Sequence, residues 1–322
     1  MKLYEYRIDK GSLFNWLTLP RSVYYYKPTC GKPGIKASTY TMRNDGCKVE
    51  NKMVVEDIRT ILSNEFICYG YETVSVVLKN KGYIINKKKV YRLMNENNLL
   101  LGKIIKTSGK RDFVKHRKIT AAYPMEFLCL DIKFVWVPKE SRHYYLLTIL
   151  DIYSRKAIEW IFQRNIRKID VINLFRKINL KYGIKGVTIR NDNGSQFIAN
   201  DVKAFLRAAQ AKQEFTHIAT PEENAYIEAF HSILQREVIE RFEFTDAYDT
   251  KLTIDAYMEH YNDVRLHGAI GRITPNEKWE LGIALAPIER NMEGTNYICK
   301  EQSDNQNLLH NQFVKSVQLI GG

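Results

Sequence analysis

Three carboxylates stand out by residue type and setting: Asp131, Asp192 and Glu228. Asp131 lies in Phe127-Leu128-Cys129-Leu130-Asp131-Ile132-Lys133-Phe134-Val135-Trp136-Val137. This apolar, β-branched and aromatic run reads as a buried strand. A charge in the middle of such a strand is costly unless something neutralises it. Asp192 follows the short apolar run Gly186-Val187-Thr188-Ile189-Arg190 and precedes Asn193-Gly194, a turn signal. Glu228 lies on a helix that opens after Thr220-Pro221, with Ile227, Phe230, Leu234 and Val238 at helical spacing. Taken singly, each acid has an ordinary reading: a solvent-facing strand residue, turn chemistry, the wet face of a helix. Together they suit another task. Crowded carboxylates repel unless a cation bridges them, and hard oxygen ligands with room for phosphate suit Mg2+. Two such ions, about 3.5–4 Å apart, clamp the attacking and leaving oxygens of a phosphodiester in line.

Further blocks accompany the acids. They are Leu130-Asp131-Ile132, Tyr145 to Arg155 (YLLTILDIYSR), Asn191 to Phe197 (NDNGSQF), Asn224 to Ser232 (NAYIEAFHS) and Tyr261 to His267 (YNDVRLH). In this order they resemble the catalytic core of the DDE transposases and retroviral integrases. Within these the pattern looks most like the insertion-sequence-three family, in the product of its downstream reading frame. The resemblance runs from roughly Arg21 to Trp279. It implies a ribonuclease-H-like fold and a polynucleotidyl transferase that cleaves DNA and transfers strands at the ends of a mobile element. It also implies two Mg2+ ions, with Mn2+ able to substitute: Asp131 bridges both, Asp192 holds one and Glu228 the other. Water, then a DNA 3′ hydroxyl, would be the nucleophile. Double-stranded DNA (element ends and target), a homo-oligomer on DNA and an upstream-frame product are the partners it implies. No heptad run is visible in residues 1–50. Two rival readings are a DNA-binding relative with impaired chemistry and a ribonuclease-H-type nuclease acting on hybrids.

Two positions depart from the family pattern. Arg190 stands where His is usual, two residues before the second acid. Gln235 stands where Lys or Arg is usual, seven residues after the Glu, with Arg236 beside it. A regular helix would put Gln235 on the Glu228 face and Arg236 about 100° away. Asn224 lies one turn before Glu228 and reads equally as a helix-start residue, an orienting group or a DNA contact. Gln196, near Asp192, is a second backbone-contact candidate. Arg265 and His267, in the closing block, are expected to meet end DNA; a lone His without a visible partner is a poor catalytic base. Asp151 reads as structural, paired with Arg155.

The elements that must position these groups follow from periodicity. Strands are expected at 126–137, 143–151, 156–163, 186–190 and 213–218, and helices at about 168–182, 199–210, 222–240 and 245–261. Three antiparallel strands followed by alternating helices and strands give an α/β fold, a mixed sheet with helices on its faces. Residues 1–49 read as an irregular opening segment with a linker from Lys27 to Lys48. Residues 50–100 read as a helix-turn-helix domain with helices at 52–63, 72–79 and 87–94, the last capped by Asn86. Its basic helix offers Lys87, Lys88, Lys89 and Arg92 to DNA phosphate. A basic linker (101–120), the catalytic core (121–280) and a loose C-terminal tail (281–322) complete the division.

Charge agrees with this order. The 322-residue chain has a formal net charge of +13. Residues 1–120 hold 24 Lys and Arg against 10 Asp and Glu, and the remainder holds 25 against 26. A polyanion-binding front and a chemical back are implied. No run approaches the ~20 apolar residues of a membrane span. The five cysteines show no Cys-x-x-Cys pair and read as reduced thiols in a cytoplasmic, nucleoid-associated protein.

Overall fold

The computed structural model describes residues 7–26, 37–102, 120–216 and 224–285. Most of the basic linker, the C-terminal tail beyond 285 and the Thr220-Pro221 helix start lie outside the described residues.

The chain begins with α1 (Lys10–Trp16), whose Ser12 amide donates to the N-cap Asp9, and α2 (Arg21–Tyr25). β1 (Tyr40–Arg43) and β2 (Lys48–Glu50) pair as an antiparallel hairpin. α3 (Asn51–Leu62), α4 (Tyr71–Asn80), β3 (Tyr83–Ile84) and α5 (Lys87–Glu96) follow, and β3 adds to the other side of β1. The linker expected up to Lys48 is therefore partly sheet. Its strands are too short for a period-2 signal, and one of their partners, β3, is remote in sequence. The turn between them is legible: Gly46 takes φ +82° and the Cys47 amide donates to Asp45. Asn86 caps α5 as expected, accepting from the Lys89 amide at 2.8 Å. Val54, Ile58, Val74, Leu78, Val90 and Met94 close a helical core of their own.

The second unit opens with β4 (Phe127–Val137), β5 (Arg142–Asp151) and β6 (Ala157–Gln163). α6 (Lys168–Tyr182), β7 (Thr188–Asn191), α7 (Ser195–Ile198), α8 (Asn200–Ala208) and β8 (Lys212–Phe215) follow. α9 (Ala225–Leu234) runs into a π-helical turn, Gln235–Ile239, before α10 (Ala247–Asp263) and α11 (Pro275–Ile283). The helix expected over 199–210 is α8, with the short α7 added before it, and the one over 222–240 ends in the π turn. The five strands stand in the order β6-β5-β4-β7-β8, antiparallel across β6-β5-β4 and parallel across β4-β7-β8. This is the ribonuclease-H-like mixed sheet.

Alternation along β4 assigns its faces. Cys129, Val135 and Val137 pack with Ile227, Phe230 and Leu234 of α9 and with Ile254, Tyr257 and Tyr261 of α10. Leu128 and Leu130 pack with Phe175 of α6, Leu206 of α8 and Trp279 of α11. Gly282 lets α11 lie against Tyr153 and Pro124, since a Cβ there would collide with both.

The two units touch. Phe66 is buried in the α9–α10 cluster. The Tyr69 phenol accepts from the Leu266 amide at 3.0 Å and donates to the Val264 carbonyl at 3.3 Å. Glu72 pairs with Arg272. No helix among the described residues is long and apolar enough to cross a membrane.

α10 is fastened to β6 by side chains. Trp160 donates its indole N–H to Asp255 at 2.8 Å. Buried Asn262 accepts from the Ala157 amide at 3.0 Å and donates to the Ala157 carbonyl at 2.9 Å. Asn262→Ala orphans both backbone groups, at about 1–3 kcal/mol each. A lowered unfolding free energy in urea denaturation, with no loss at an exposed control such as Leu252→Ala, is the expected result.

Candidate active site

Strand register builds the site. Cys129 of β4 stands level with Arg190 of β7, and the two strands are parallel. Two residues further along each, Asp131 and Asp192 are level on neighbouring strands. β7 ends at Asn191, so Asp192 occupies the turn just beyond it. Burial raises the Asp192 pKa, the Gly194 amide bond at 3.0 Å lowers it, and the Asp131 charge raises it. The net direction is up. The turn leaves no room for a side chain at 194, where a Cβ would meet the side chains of Gln196 and Asp192. Asp131 accepts from the Ile132 amide at 2.8 Å. On the same face, buried Cys129 marks the apolar floor: burial pushes its thiol up to about 12.

α9 covers this face of β4. Glu228 is exposed in its first turn, where the helix dipole favours a carboxylate. His231 lies one turn further, its Nδ1 3.5 Å from an Asp131 carboxylate oxygen. The helix carrying the third acid is thus pinned above the first. Among the described residues no three His, Cys, Asp or Glu side chains converge closely enough to enclose a cation. The Asp131 charge reaches Asp192, and Glu228 lies on α9, the helix that covers this face of β4. His231 stands inside a block whose Glu228 drew attention; its i, i+3 spacing to that residue was the available signal.

Asp151 aims this end of the helix from a distance. It is fully buried and accepts from the Met125 amide, the Ser154 amide and the Ser154 hydroxyl at 2.9, 2.7 and 2.6 Å. Its closest partner is Ser154 rather than Arg155. The tight turn puts Arg155 at φ +67° and lays its guanidinium 3.8 Å from the centre of the Tyr226 ring, two residues before Glu228.

Several basic candidates have other occupations. Arg265 does not face DNA: it forms a two-pronged pair with Glu237 at 2.7 and 2.8 Å, and both side chains are nearly fully buried. Tyr257 donates to the same carboxylate at 2.9 Å. His267 is neutral, because burial and the Arg265 and Arg155 charges bring its pKa down to about 4. It accepts from the Ala269 amide. Lys89 donates to Ser38 and Tyr40, and Arg92 to the Ser38 carbonyl at 3.1 Å. Both hold the approach to β1 instead of projecting outward. Lys87 pairs with Glu72 at 2.8 Å, and Lys88 is exposed. Arg190 bridges to Glu214 across the β7–β8 pair at 3.0 Å. Gln196 is half-buried beside the Asp192 turn. Among the described residues, Asn224 makes no cap bond and its buried side-chain oxygen has no hydrogen-bond partner. Gln235 opens the π turn half-buried, and Arg236 is exposed with a 3.0 Å bond to Glu237.

Family comparisons agree with this layout. Residues 121–221 and 209–275 match two Integrase core domain families, and residues 48–106 match an HTH-like domain. The chain is 26% identical over 247 residues to the transposase for insertion sequence element IS904 of Lactococcus lactis, covering 71% of this chain and 94% of that protein. It is 25% identical over 225 residues to transposase InsD of element IS2 in Escherichia coli, covering 66% and 74%. Among solved structures, it is similar to the HTLV-2 integrase catalytic core domain in complex with magnesium, at 15% identity and TM-score 0.38, covering 49% and 97%. A simian T-cell lymphotropic virus intasome aligns at 11% identity and TM-score 0.45, covering 68% and 72%. The chain is a polynucleotidyl transferase of the integrase-core class. Together the matches support a DDE transposase of the insertion-sequence-three family.

The buried pair next to the site is testable. Burial alone would raise Glu237, but the Arg265 bonds and charge outweigh it and hold the carboxyl below its ordinary range. Such a carboxylate contributes stability above its unfolded pKa and loses it as pH falls through the lower folded value. Glu237→Gln leaves the Arg265 charge buried without a counter-ion, at about 3–5 kcal/mol near neutral pH. Urea titrations should show the gap between wild type and variant shrinking below about pH 4.3.

Proposed function

We propose that Asp131, Asp192 and Glu228 are the catalytic carboxylates of a DNA strand-transfer reaction. One observation carries the reading: Asp192 lies just past the end of β7, beside mid-strand Asp131 of the parallel β4, on the face covered by the helix that bears Glu228. Hard carboxylate oxygens set close together, with burial and then the Asp131 charge raising the Asp192 pKa, are a donor set suited to Mg2+. Asp131, Asp192 and Glu228 would be the residues that hold the divalent ions. When bound, the ions lower the pKa of the attacking water or 3′ hydroxyl and stabilise the leaving oxygen. The protein's own part is orientation: His231 over Asp131, the Gly194 amide on Asp192, and the Arg155–Tyr226 stack under the start of α9.

DNA is the partner, both element ends and target, with Lys87, Lys88 and Arg236 as the phosphate contacts that remain outward. Gln196 and Asn224 flank the acids and are the groups nearest to a bound backbone. Multimers on the DNA, joined by an upstream-frame product, fit this reading, as does action on the nucleoid in the cytoplasm.

Single substitutions Asp131→Asn, Asp192→Asn and Glu228→Gln test the roles separately. Each is expected to lower Mg2+-dependent cleavage and joining by about a hundredfold to ten-thousandfold, with folding and DNA binding retained. A folded variant that joins at the wild-type rate removes its residue from the triad. Cleavage of RNA–DNA hybrids without any joining would point to a nuclease instead.

A further inference from the structure

Lys133 is a charge at an inward position of a strand. β4 alternates here: exposed Phe134 and Trp136 lie on one face, and Asp131, Lys133 and buried Val135 lie on the other. Lys133 is level with Leu146 of β5, which belongs to the apolar cluster under α9 and α10. It is half-buried, and it follows Asp131 along the strand by about 7 Å, at about 3.3 Å per residue.

No group in the fold closes on this charge. The ammonium makes no hydrogen bond or ion pair among the described residues. Burial lowers its pKa, while the charges of Glu240 and Asp131 raise it, so both acids act on it from a distance. Glu240, just beyond the π turn, is exposed. Asp131 already accepts from the Ile132 amide and stands 3.5 Å from His231. An ammonium with three donors and no fixed acceptor is costly at a half-buried site, where an apolar side chain would pack at no such cost. The site is also reachable from one side: among the described residues no strand pairs with β4 beyond Cys129 on its β7 edge. Asp131 and Lys133 therefore share an open edge of the sheet.

We infer that Lys133 binds a backbone phosphate of the DNA, next to the phosphodiester held at the carboxylates. The inference rests on the carboxylate reading for the path of the DNA and adds a contact to it. The ammonium's own charge keeps a cation from that spot, and an apolar group gains nothing from it. A phosphate gains a point-charge partner. It also meets less repulsion from the crowded acids, because the lysine offsets their charge on the side from which a polyanion approaches. α9 does not supply this charge, since it ends in the uncharged Gln235.

The test is fluorescence anisotropy with the full chain and a fluorescein-labelled duplex at fixed Mg2+, from about 50 to 200 mM NaCl. Lys133→Met should lower the slope of log affinity against log salt by about 0.9, the share of one phosphate contact. Lys133→Arg should keep the wild-type slope, and so should Lys185→Met, an exposed lysine elsewhere on the core. An unmoved slope in Lys133→Met, the same loss in Lys133→Arg, or an equal loss in Lys185→Met overturns the inference. A lower thermal midpoint in Lys133→Met does so too, since the charge would then serve the fold. Acid variants that join normally beside a lowered Lys133→Met slope would sink the carboxylates and leave the phosphate contact. Inactive acid variants beside an unmoved slope would sink the contact alone.

Discussion

Two like charges on neighbouring strands are the constraint around which the core is arranged. At a strand spacing of about 4.8 Å and an effective dielectric of about 20, an ionised pair costs about 3 kcal/mol. Burial is the main cause of the raised pKa of Asp192, and the Asp131 charge adds to it. Apolar burial offsets the cost locally. Leu128, Cys129 and Leu130, immediately before Asp131, are almost completely buried, and each buried aliphatic side chain contributes about 1.5–3 kcal/mol. β4 is central in the sheet and packed on both faces, so it can hold a charge at the point where β7 stops. The same charge further along, where the strand emerges into solvent, would cost less and be held less firmly.

A second charge is managed differently. Glu237 and Arg265 form a buried pair, and the π turn at Gln235–Ile239 is what turns Glu237 inward. Replacing such a pair with apolar residues is often neutral for stability, so its presence is weak evidence that it stabilises the fold. Its geometric effect is clearer. Tyr257 of α10 and Arg265 beyond that helix both fasten onto one carboxylate at the end of α9. The acid-bearing helix is held at its far end by hydrogen bonds and at its near end by the Arg155–Tyr226 stack. Regular helical spacing would leave Glu237 elsewhere, so the π turn belongs to this positioning.

Periodicity made β4, β5, β6, α6 and α10 legible to within a few residues, because each buries a continuous face. The Asp131, Asp192 and Glu228 settings were legible for the same reason: an acid inside an apolar strand, an acid before Asn-Gly, an acid on an amphipathic helix. What stayed hidden depends on partners remote in sequence. Arg265 looked like a surface base, yet its counter-ion is 28 residues away. Lys89 and Arg92 looked like one basic face with Lys87 and Lys88. Half of that face is spent on Ser38 and Tyr40, more than 45 residues upstream. The hairpin of β1 and β2 is held in part by β3, which no local pattern announces. Charge type is local information, and charge partnership is not.

Those partnerships also decide how the basic front of the chain meets the acidic site. Tyr69 donates to one backbone group and accepts from another on the segment that carries Arg265. A phenol can do both only while neutral, and burial raises its pKa despite the nearby Arg265 charge. Phe66 adds a buried ring among Tyr257, Phe242 and His260, and Glu72 spans from Lys87 on α5 to Arg272 beside the core. The contact combines an aromatic anchor, a bridged pair of backbone groups and an ion pair. It ends on the same residues that hold α9. Any force that tilts the front domain is therefore delivered to the segment around Arg265, and through Glu237 to the helix bearing Glu228. The first unit and the carboxylate-bearing second are joined by this short chain of contacts, buried at Phe66 and partly exposed at Glu72.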